Sequence, residues 1–446
     1  MYYRKIISEL RAWRNSTGRK PLVLRGARQV GKTTVVEQFA ADFSQFIHLN
    51  LERDADRELF VKYKNVDELL QAMFFKNNKS IDLLPDTLLF IDEIQELPEA
   101  VAMLRYFYED FPALNVVAAG SLLENMLGRS INFPVGRVEY RVLRPVSFAE
   151  FLEAMGENQA LQMYETIPLP DFAFDKLLSL FHAYTLIGGM PEVVAKYINN
   201  RDLTALPNVY ESLLGTYFND IEKYAQNSSQ IQIFRHAIRA AFYEAGSRIK
   251  FAGFGASNYG SKDMGEVLRT LEKVMLLHLI YPTVQTEKPF KPDIKKSPRL
   301  QVLDTGMLNF FSGLQKEIFG TRDLNDFYQG RITEHIVGQE FLAAKFNLMN
   351  ELRFWVREKK QSSAETDFLF PFDGEVFPVE IKSGAGGRMR SLFLYLDNSK
   401  CDFAVRFYAG KISLEEHKTI AGKPFRLLSL PYFLAGNLEN YLKHFI

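Results

Sequence analysis

Gly26-Ala-Arg-Gln-Val-Gly31-Lys32-Thr33 lies between an apolar run, Pro21-Leu-Val-Leu-Arg25, and the segment Thr34 to Phe39. The eight residues spell G-x-x-x-x-G-K-T. In that pattern the glycines let backbone N–H groups crowd around phosphates, while lysine and threonine reach the outer phosphate and Mg²⁺. Chance produces such a match in roughly one chain in a hundred of this length, so the flanking sequence decides its meaning. The apolar run reads as a buried strand entering the loop and Thr34 to Phe39 as the helix leaving it. The helix would then aim its dipole and free N–H groups at the phosphates. Gly26, Ala27, Arg28, Gln29, Val30, Gly31, Lys32, Thr33 and Thr34 are the expected nucleotide-binding residues.

Two further stretches fit the same site. Leu88-Leu-Phe-Ile91 is a second apolar strand, closed by Asp92-Glu93. Asp92 stands where a carboxylate, with Thr33, can hold Mg²⁺, and Glu93 where a second one can polarise the attacking water. Val116 to Ala119, followed by Gly120-Ser121, is a third strand. The expected chemistry is ATP hydrolysis assisted by Mg²⁺.

The 446 residues suffice for two to four domains. Their 54 basic and 54 acidic side chains cancel, so affinity for nucleic acid has to come from local patches. The single cysteine, Cys401, excludes an internal disulfide framework and reads as a buried small residue, and the seven histidines show no zinc spacing. Without an apolar leader or a run approaching roughly 18 apolar residues, the expectation is a cytoplasmic protein with no membrane partner.

Residues 1 to 20 carry Arg4, Lys5, Arg11, Arg14, Arg19 and Lys20 against Glu9, with Ile6, Ile7, Leu10 and Trp13 at helical spacing. This predicts an amphipathic helix docked on the nucleotide-binding core with a solvated basic face. From Pro21 to about Phe151, apolar strands (22–24, 46–49, 88–91, 116–119, 138–143) alternate with helices, the pattern of a parallel sheet covered on both faces. Residues near 152 to 204 read as helical, broken at Gly188-Gly189-Met-Pro191. Asn208 to Ile280 gives further helices. Then come a strand near Leu279 to Val284, a basic loop with Lys288, Lys291, Lys295, Lys296 and Arg299, and the strand Arg299 to Asp304. Helices followed by two strands predict a winged helix whose wing is usable on a phosphate backbone.

The last region predicts a helix over Arg331 to Phe346 and strands Leu352 to Arg357, Thr366 to Pro371 and Val376 to Ile381. Alternation along the last strand puts Glu380 and Lys382 on one side and Ile381 in the core. Asp367 on the neighbouring strand can share a divalent ion with Glu380, Glu334 on the preceding helix adds a further carboxylate, and Lys382 can stabilise a phosphate. That is the D…E-x-K arrangement of metal-dependent phosphodiester cleavage.

On these residues the chain resembles a bacterial and archaeal family of AAA-type ATPases whose C-terminal part is known as DUF4143. The resemblance rests on Gly26 to Thr33, Leu89-Phe-Ile-Asp-Glu-Ile-Gln95, Gly120-Ser121, Gly136-Arg137, Leu143-Arg-Pro-Val-Ser-Phe148 and Gly188-Gly-Met-Pro191. Leu303-Asp-Thr-Gly306, Gly330-Arg-Ile-Thr-Glu334-His-Ile-Val337, Glu365-Thr-Asp367-Phe and Val379-Glu-Ile-Lys-Ser383 extend it. It implies an α/β protein: a P-loop NTPase core with a parallel sheet (1–155), a helical lid (156–204), a winged-helix domain (205–320) and a restriction-endonuclease-like PD-(D/E)xK domain (321–446). It further implies Ser121 as a sensor of the γ-phosphate or water. Arg137 becomes the charge stabiliser, supplied in cis or by a neighbouring subunit of a homo-oligomer, with Arg129 and Arg141 as rivals. His335 departs from the asparagine common in relatives. Two functions follow. One is an ATPase coupling nucleotide state to a nucleic-acid-directed half, DNA before RNA, with a second divalent ion at the C-terminal site. The other is a nucleotide-gated regulator that binds DNA or a protein partner through a vestigial nuclease fold.

Overall fold

Five parallel strands build the first sheet: β1 (Leu22–Arg25), β2 (Gln45–Asn50), β3 (Thr87–Asp92), β4 (Asn115–Gly120) and β5 (Glu139–Val142), in the order β2-β3-β4-β1-β5. The computed structural model describes residues 2–120, 136–225, 227–314, 331–359, 362–382 and 389–446. Every residue of β1, β3 and β4 is buried, as a parallel sheet clothed on both faces requires. Because β4 pairs with both β1 and β3, the carboxyl ends of all three strands, at Arg25, Asp92 and Gly120, share one edge. The crevice outside such an edge is where open α/β sheets bind ligands.

The N-terminal helix Ile6–Arg14 docks as expected, burying Ile6, Ile7, Leu10 and Trp13. Its basic face is less solvated than expected. Arg11 pairs with Asp42 at 2.7 Å and Arg14 with Asp86 at 2.6 Å. Arg4 is buried and bonded to Glu150 at 3.0 Å, to the Val30 carbonyl at 3.1 Å and to the Arg144 carbonyl at 2.7 Å. One arginine thus ties the chain start to the phosphate-binding loop and to the segment leaving β5.

Beyond the helices Phe174–Ile187 and Pro191–Asn200 come Pro207–Tyr224, Ser228–Glu244 and Ser261–Lys273. They lead into an antiparallel pair, β6 (Leu277–Ile280) with β8 (Arg299–Val302). The strand expected over 279 to 284 is two pieces. Pro282 has no N–H with which to continue a ladder, and β7 (Pro282–Thr283) instead pairs in parallel with β9 (Phe354–Lys359). The intervening loop consequently lies against the C-terminal part. Lys288 pairs with Glu375 at 3.3 Å, Val284 O accepts from Trp355 Nε1 at 3.3 Å, and Phe290 packs against the cluster of Trp355, Ala364, Leu369 and Tyr395. Lys291 and Lys295 stay exposed, but Arg299 is buried, which removes it from any wing. The expected division at residue 320 therefore separates sequence segments that share a small sheet.

The C-terminal part holds helix Arg331–Ala343 and β10 (Ser362–Glu365), which pairs with β9. Its five-stranded sheet comprises β11 (Phe368–Phe372), β12 (Glu375–Ile381), β13 (Phe403–Tyr408), β14 (Ser413–Lys418) and β15 (Pro424–Pro431), ordered β11-β12-β13-β15-β14. Cys401 is half-buried, and burial pushes its thiol up to about 11. No helix among the described residues is long and apolar enough to cross a membrane.

A buried polar seam joins these parts. Asp304 accepts from Gly189 N at 2.6 Å and from Met307 N at 3.0 Å. A Cβ on Gly188 would stand 2.2 Å from Asp304 Oδ1, and one on Gly306 2.0 Å from the Ile187 carbonyl, so both backbones cross where only glycine fits. Thr305 donates to Gln339 Oε1 through N and Oγ1 at 2.8 and 2.9 Å, and Gln339 Nε2 donates to Tyr184 at 3.1 Å. His335 faces the core, its Nε2 accepting from Val302 N at 3.1 Å. Burial pushes Asp304 up to about 6 and holds His335 near 3, neutral.

Candidate functional site

A cleft of about 560 Å³ opens at the carboxyl edge of the first sheet, lined by Arg28, Gln29 and Gly31 to Val35, by Glu93, and by Tyr2, Pro191 and Glu192 across from them. Its loop is shaped by glycine twice. A Cβ on Gly26 would lie 2.6 Å from the Leu143 carbonyl, and Gly31 has φ +92° at the start of helix Lys32–Ala40. Lys32 folds inward and donates to the carbonyls of Gly26 and Ala27 at 3.1 and 3.0 Å. Burial pulls its ammonium below the ordinary value, while Glu93 and Asp92 pull the other way. Thr33 Oγ1 donates to Asp92 Oδ2 at 2.7 Å. Burial works against ionisation of Asp92, yet donation from Thr33 and the Glu93 N–H, with His48 nearby, holds its carboxyl below the usual range. A hydroxyl beside an ionised carboxylate is a hard-oxygen pair that suits Mg²⁺.

Glu93 has left-handed backbone angles, φ 50° and ψ 44°, and burial raises its carboxyl. Gln95 Nε2 donates to Glu93 Oε2 at 2.5 Å, a contact made by the short 3-10 turn Ile94–Glu96 after β3 that reading the motif alone does not reveal. Arg28 extends away from the loop to Asp220 at 2.7 Å, and its carbonyl accepts from Tyr217 at 2.7 Å, which locks the loop to helix Pro207–Tyr224. Ala27 and Val30 are buried loop residues, and Thr34 lines the cleft. Ser121 and Arg129 lie outside the described residues.

Arg137 is expected as the charge stabiliser either in cis or from a neighbouring subunit, and the register corrects the cis alternative alone. Arg137 precedes β5, whose Glu139 is level with Leu22 at the start of β1, so it stands at the opposite edge of the sheet from the loop, about 13 Å or more along the strand. There it pairs with Glu109 at 2.8 Å. It cannot serve its own chain's cleft in this conformation. Arg141 is engaged with Glu9 at 3.4 Å.

The C-terminal carboxylates converge. Extending the antiparallel register Phe368↔Val379 places Asp367 opposite Glu380, and Asp367 Oδ2 accepts from Ile381 N at 2.6 Å. Ile381 is buried, while Lys382 Nζ turns back to Glu380 Oε1 at 2.5 Å, the shared side that strand alternation predicts. Burial, then Asp367, pushes Glu334 up to about 8 and Glu380 up to about 7. The residue that sequence reasoning misplaced is Arg299. It is 5% exposed, sits 4.5 Å over the Phe354 ring, donates to the Asp367 carbonyl at 2.7 Å, lies 3.5 Å from Glu334 and pairs with Glu365. Its place beside a basic loop concealed that role.

Four carboxyl groups, Glu334, Glu365, Asp367 and Glu380, face two cations, burial favours the protonated forms of Glu334 and Glu380, and among the described residues Glu380 Oε2 is buried without a hydrogen-bond partner. That donor chemistry fits one hard divalent cation held by Asp367 and Glu380 with water. Among the described residues no three His, Cys, Asp or Glu side chains already surround one point.

Residues 18–152 match the family described as AAA domain. Residues 178–318 match a domain of unknown function, DUF8612, and residues 329–425 another, DUF4143. No curated protein matches the chain. A solved structure described as that of the Aeropyrum pernix Orc1 protein in complex with DNA aligns with 70% of this chain and 93% of its own. Its identity is 11% and its TM-score 0.26. The chain thus combines an AAA domain, which holds the nucleotide-binding P-loop cleft, with a DUF4143 domain, which holds the carboxylate cluster.

Proposed function

We propose that the protein hydrolyses ATP in the P-loop cleft and couples nucleotide state to a nucleic-acid-directed C-terminal half, the middle helices with β6 and β8 forming a winged helix and the DUF4143 part a nuclease-like domain. Lys32 would exchange its two carbonyl acceptors for the outer phosphates. Thr33 and Asp92 would hold Mg²⁺, which neutralises phosphate charge. Glu93, oriented by Gln95, would take the proton of the attacking water. Arg137 remains available only to a neighbouring copy's cleft, and Ser121 is proposed as the γ-phosphate sensor.

The observation that carries the coupling is the buried seam. Pro191 lines the cleft, Gly188 and Gly189 lie just before it against Asp304, and Thr305 bonds Gln339 on the same helix as Glu334. A shift of the cleft wall therefore meets a tightly packed, hydrogen-bonded path to the carboxylates.

Arg299 and Lys382 favour a second reading, since they already neutralise part of the carboxylate cluster as a regulator with a vestigial site would. The two readings separate on incubation of duplex DNA and RNA with the full chain and Mg²⁺ or Mn²⁺. Cleavage that disappears in Asp367→Ala and Lys382→Ala while ATP turnover persists supports the nuclease. No cleavage of either nucleic acid with either metal sinks it and leaves the regulator.

A further inference from the structure

Leu143-Arg-Pro-Val-Ser-Phe148, the segment leaving β5, contains a charge that the nucleotide cleft does not use. Arg144 is 7% exposed. Its carbonyl accepts from Arg4, which also holds the Val30 carbonyl, so the residue is one hydrogen-bonded step from the P-loop. Among the described residues its guanidinium pairs with no carboxylate. It donates to His278 Nε2 at 2.5 Å, and its Nε is buried with no partner. A guanidinium cannot accept, so His278 must present a bare ring nitrogen and be neutral. Burial and Arg144 itself both push His278 well below its ordinary value. Burial and neighbouring Arg25 pull Arg144 down to about 10, which leaves it charged at neutral pH.

Arg144 lines a second cavity of about 560 Å³ where β5, the Ser261–Lys273 helix with β6, and residues 348–353 meet. Arg25, Arg269, Lys273 and Arg353 also line it, against the acids Glu272 and Glu351. Glu272 Oε1 accepts from Leu279 N at 2.8 Å, and Glu351 lies 3.8 Å from Arg353. Leu342 and Leu352 supply apolar wall. A buried cation without a counter-ion is costly unless something anionic arrives to pair with it. The planar fork of arginine matches phosphate, and the cavity falls within the size range of small-molecule sites. Arg144 is buried and meets solvent only along this cavity's lining, which suits a small anion better than a duplex backbone.

We infer that this cavity binds a small phosphate-bearing anion of nucleotide size, its phosphate against Arg144 beside Arg25 and its body against Leu342 and Leu352. The test uses the full chain carrying Lys32→Ala, so that the P-loop does not take the probe, with pyrophosphate and AMP followed by calorimetry and by the thermal midpoint. Both probes should bind and raise the midpoint. Adding Arg144→Met should weaken binding roughly tenfold or more, the scale of a lost charged hydrogen bond. It should also raise the midpoint of the ligand-free protein, because an uncompensated charge is gone. Arg353→Ala at the rim should weaken binding a few-fold and leave the ligand-free midpoint alone, and it keeps the test decisive if Arg144→Met misfolds. The assignment is overturned if neither probe binds at millimolar concentration or if binding is indifferent to both substitutions. A ligand-free midpoint lowered by Arg144→Met with pyrophosphate still bound makes Arg144 structural. Competition by a short DNA duplex as strong as by pyrophosphate rules out the small-anion class.

Discussion

Glu93 holds a left-handed backbone conformation that costs a non-glycine residue roughly 1–2 kcal/mol, and it does so beside the P-loop lysine. Such strain at a strand end aims the carboxylate into the cleft instead of back along β3. Lys32→Ala should abolish nucleotide binding, because the cation facing the outer phosphates is removed. Glu93→Gln should retain ATP yet hydrolyse it roughly a hundredfold or more slowly, the scale expected when a water-activating base is taken away. Equal turnover in Glu93→Gln and the parent removes Glu93 from that role. Burial raises the Glu93 carboxyl and the Gln95 amide holds it back. The base works ionised, so activity falls as pH drops through its value. Gln95→Leu, by removing the amide, should shift that acid limb to higher pH, whereas an unmoved limb with lower turnover would make Gln95 a packing residue only.

Among the elements, the basic loop between β7 and β8 reads differently in sequence and in space. Its prolines and lysines spell an exposed wing, but Pro282 sends the chain to β9 and Phe290 packs on the apolar cluster around Trp355. Local composition cannot reveal a partner some seventy residues downstream. For the same reason Arg299 reads as a phosphate-contacting cation and is a buried companion of Glu334 and Glu365. The strands of the first sheet, the P-loop and the shared side of Glu380 and Lys382 are legible because period and motif are local properties. Strand order and the two-glycine crossing at Asp304 are long-range and are not. If the exposed face of the loop touches a phosphate backbone, replacing Lys291 and Lys295 should weaken duplex binding. It should also flatten the logarithmic salt slope by roughly 0.9 for each phosphate that is no longer neutralised. An unchanged slope and affinity assign the loop to holding the C-terminal part alone.

Across the whole molecule, buried carboxyls concentrate along the seam and the C-terminal cluster. Burial raises Asp304 to about 6, Glu340 and Glu380 to about 7 and Glu334 to about 8. Each binds its proton more tightly folded than unfolded, so its contribution to stability is complete below about pH 4 and is lost as pH rises through the raised values. In metal-free buffer the urea midpoint should therefore be lower at pH 8.5 than at pH 6, and Mg²⁺ should recover part of the loss at the higher pH. A midpoint that climbs over this interval contradicts the buried cluster. The same seam is the proposed route from cleft to cluster. Steady-state ATP turnover by the full chain, with Glu93→Gln alongside and with and without duplex DNA, tests that claim most directly. The account predicts turnover that depends on Glu93 and changes when DNA is added; ATP that binds without being hydrolysed, or turnover indifferent to DNA, would contradict it.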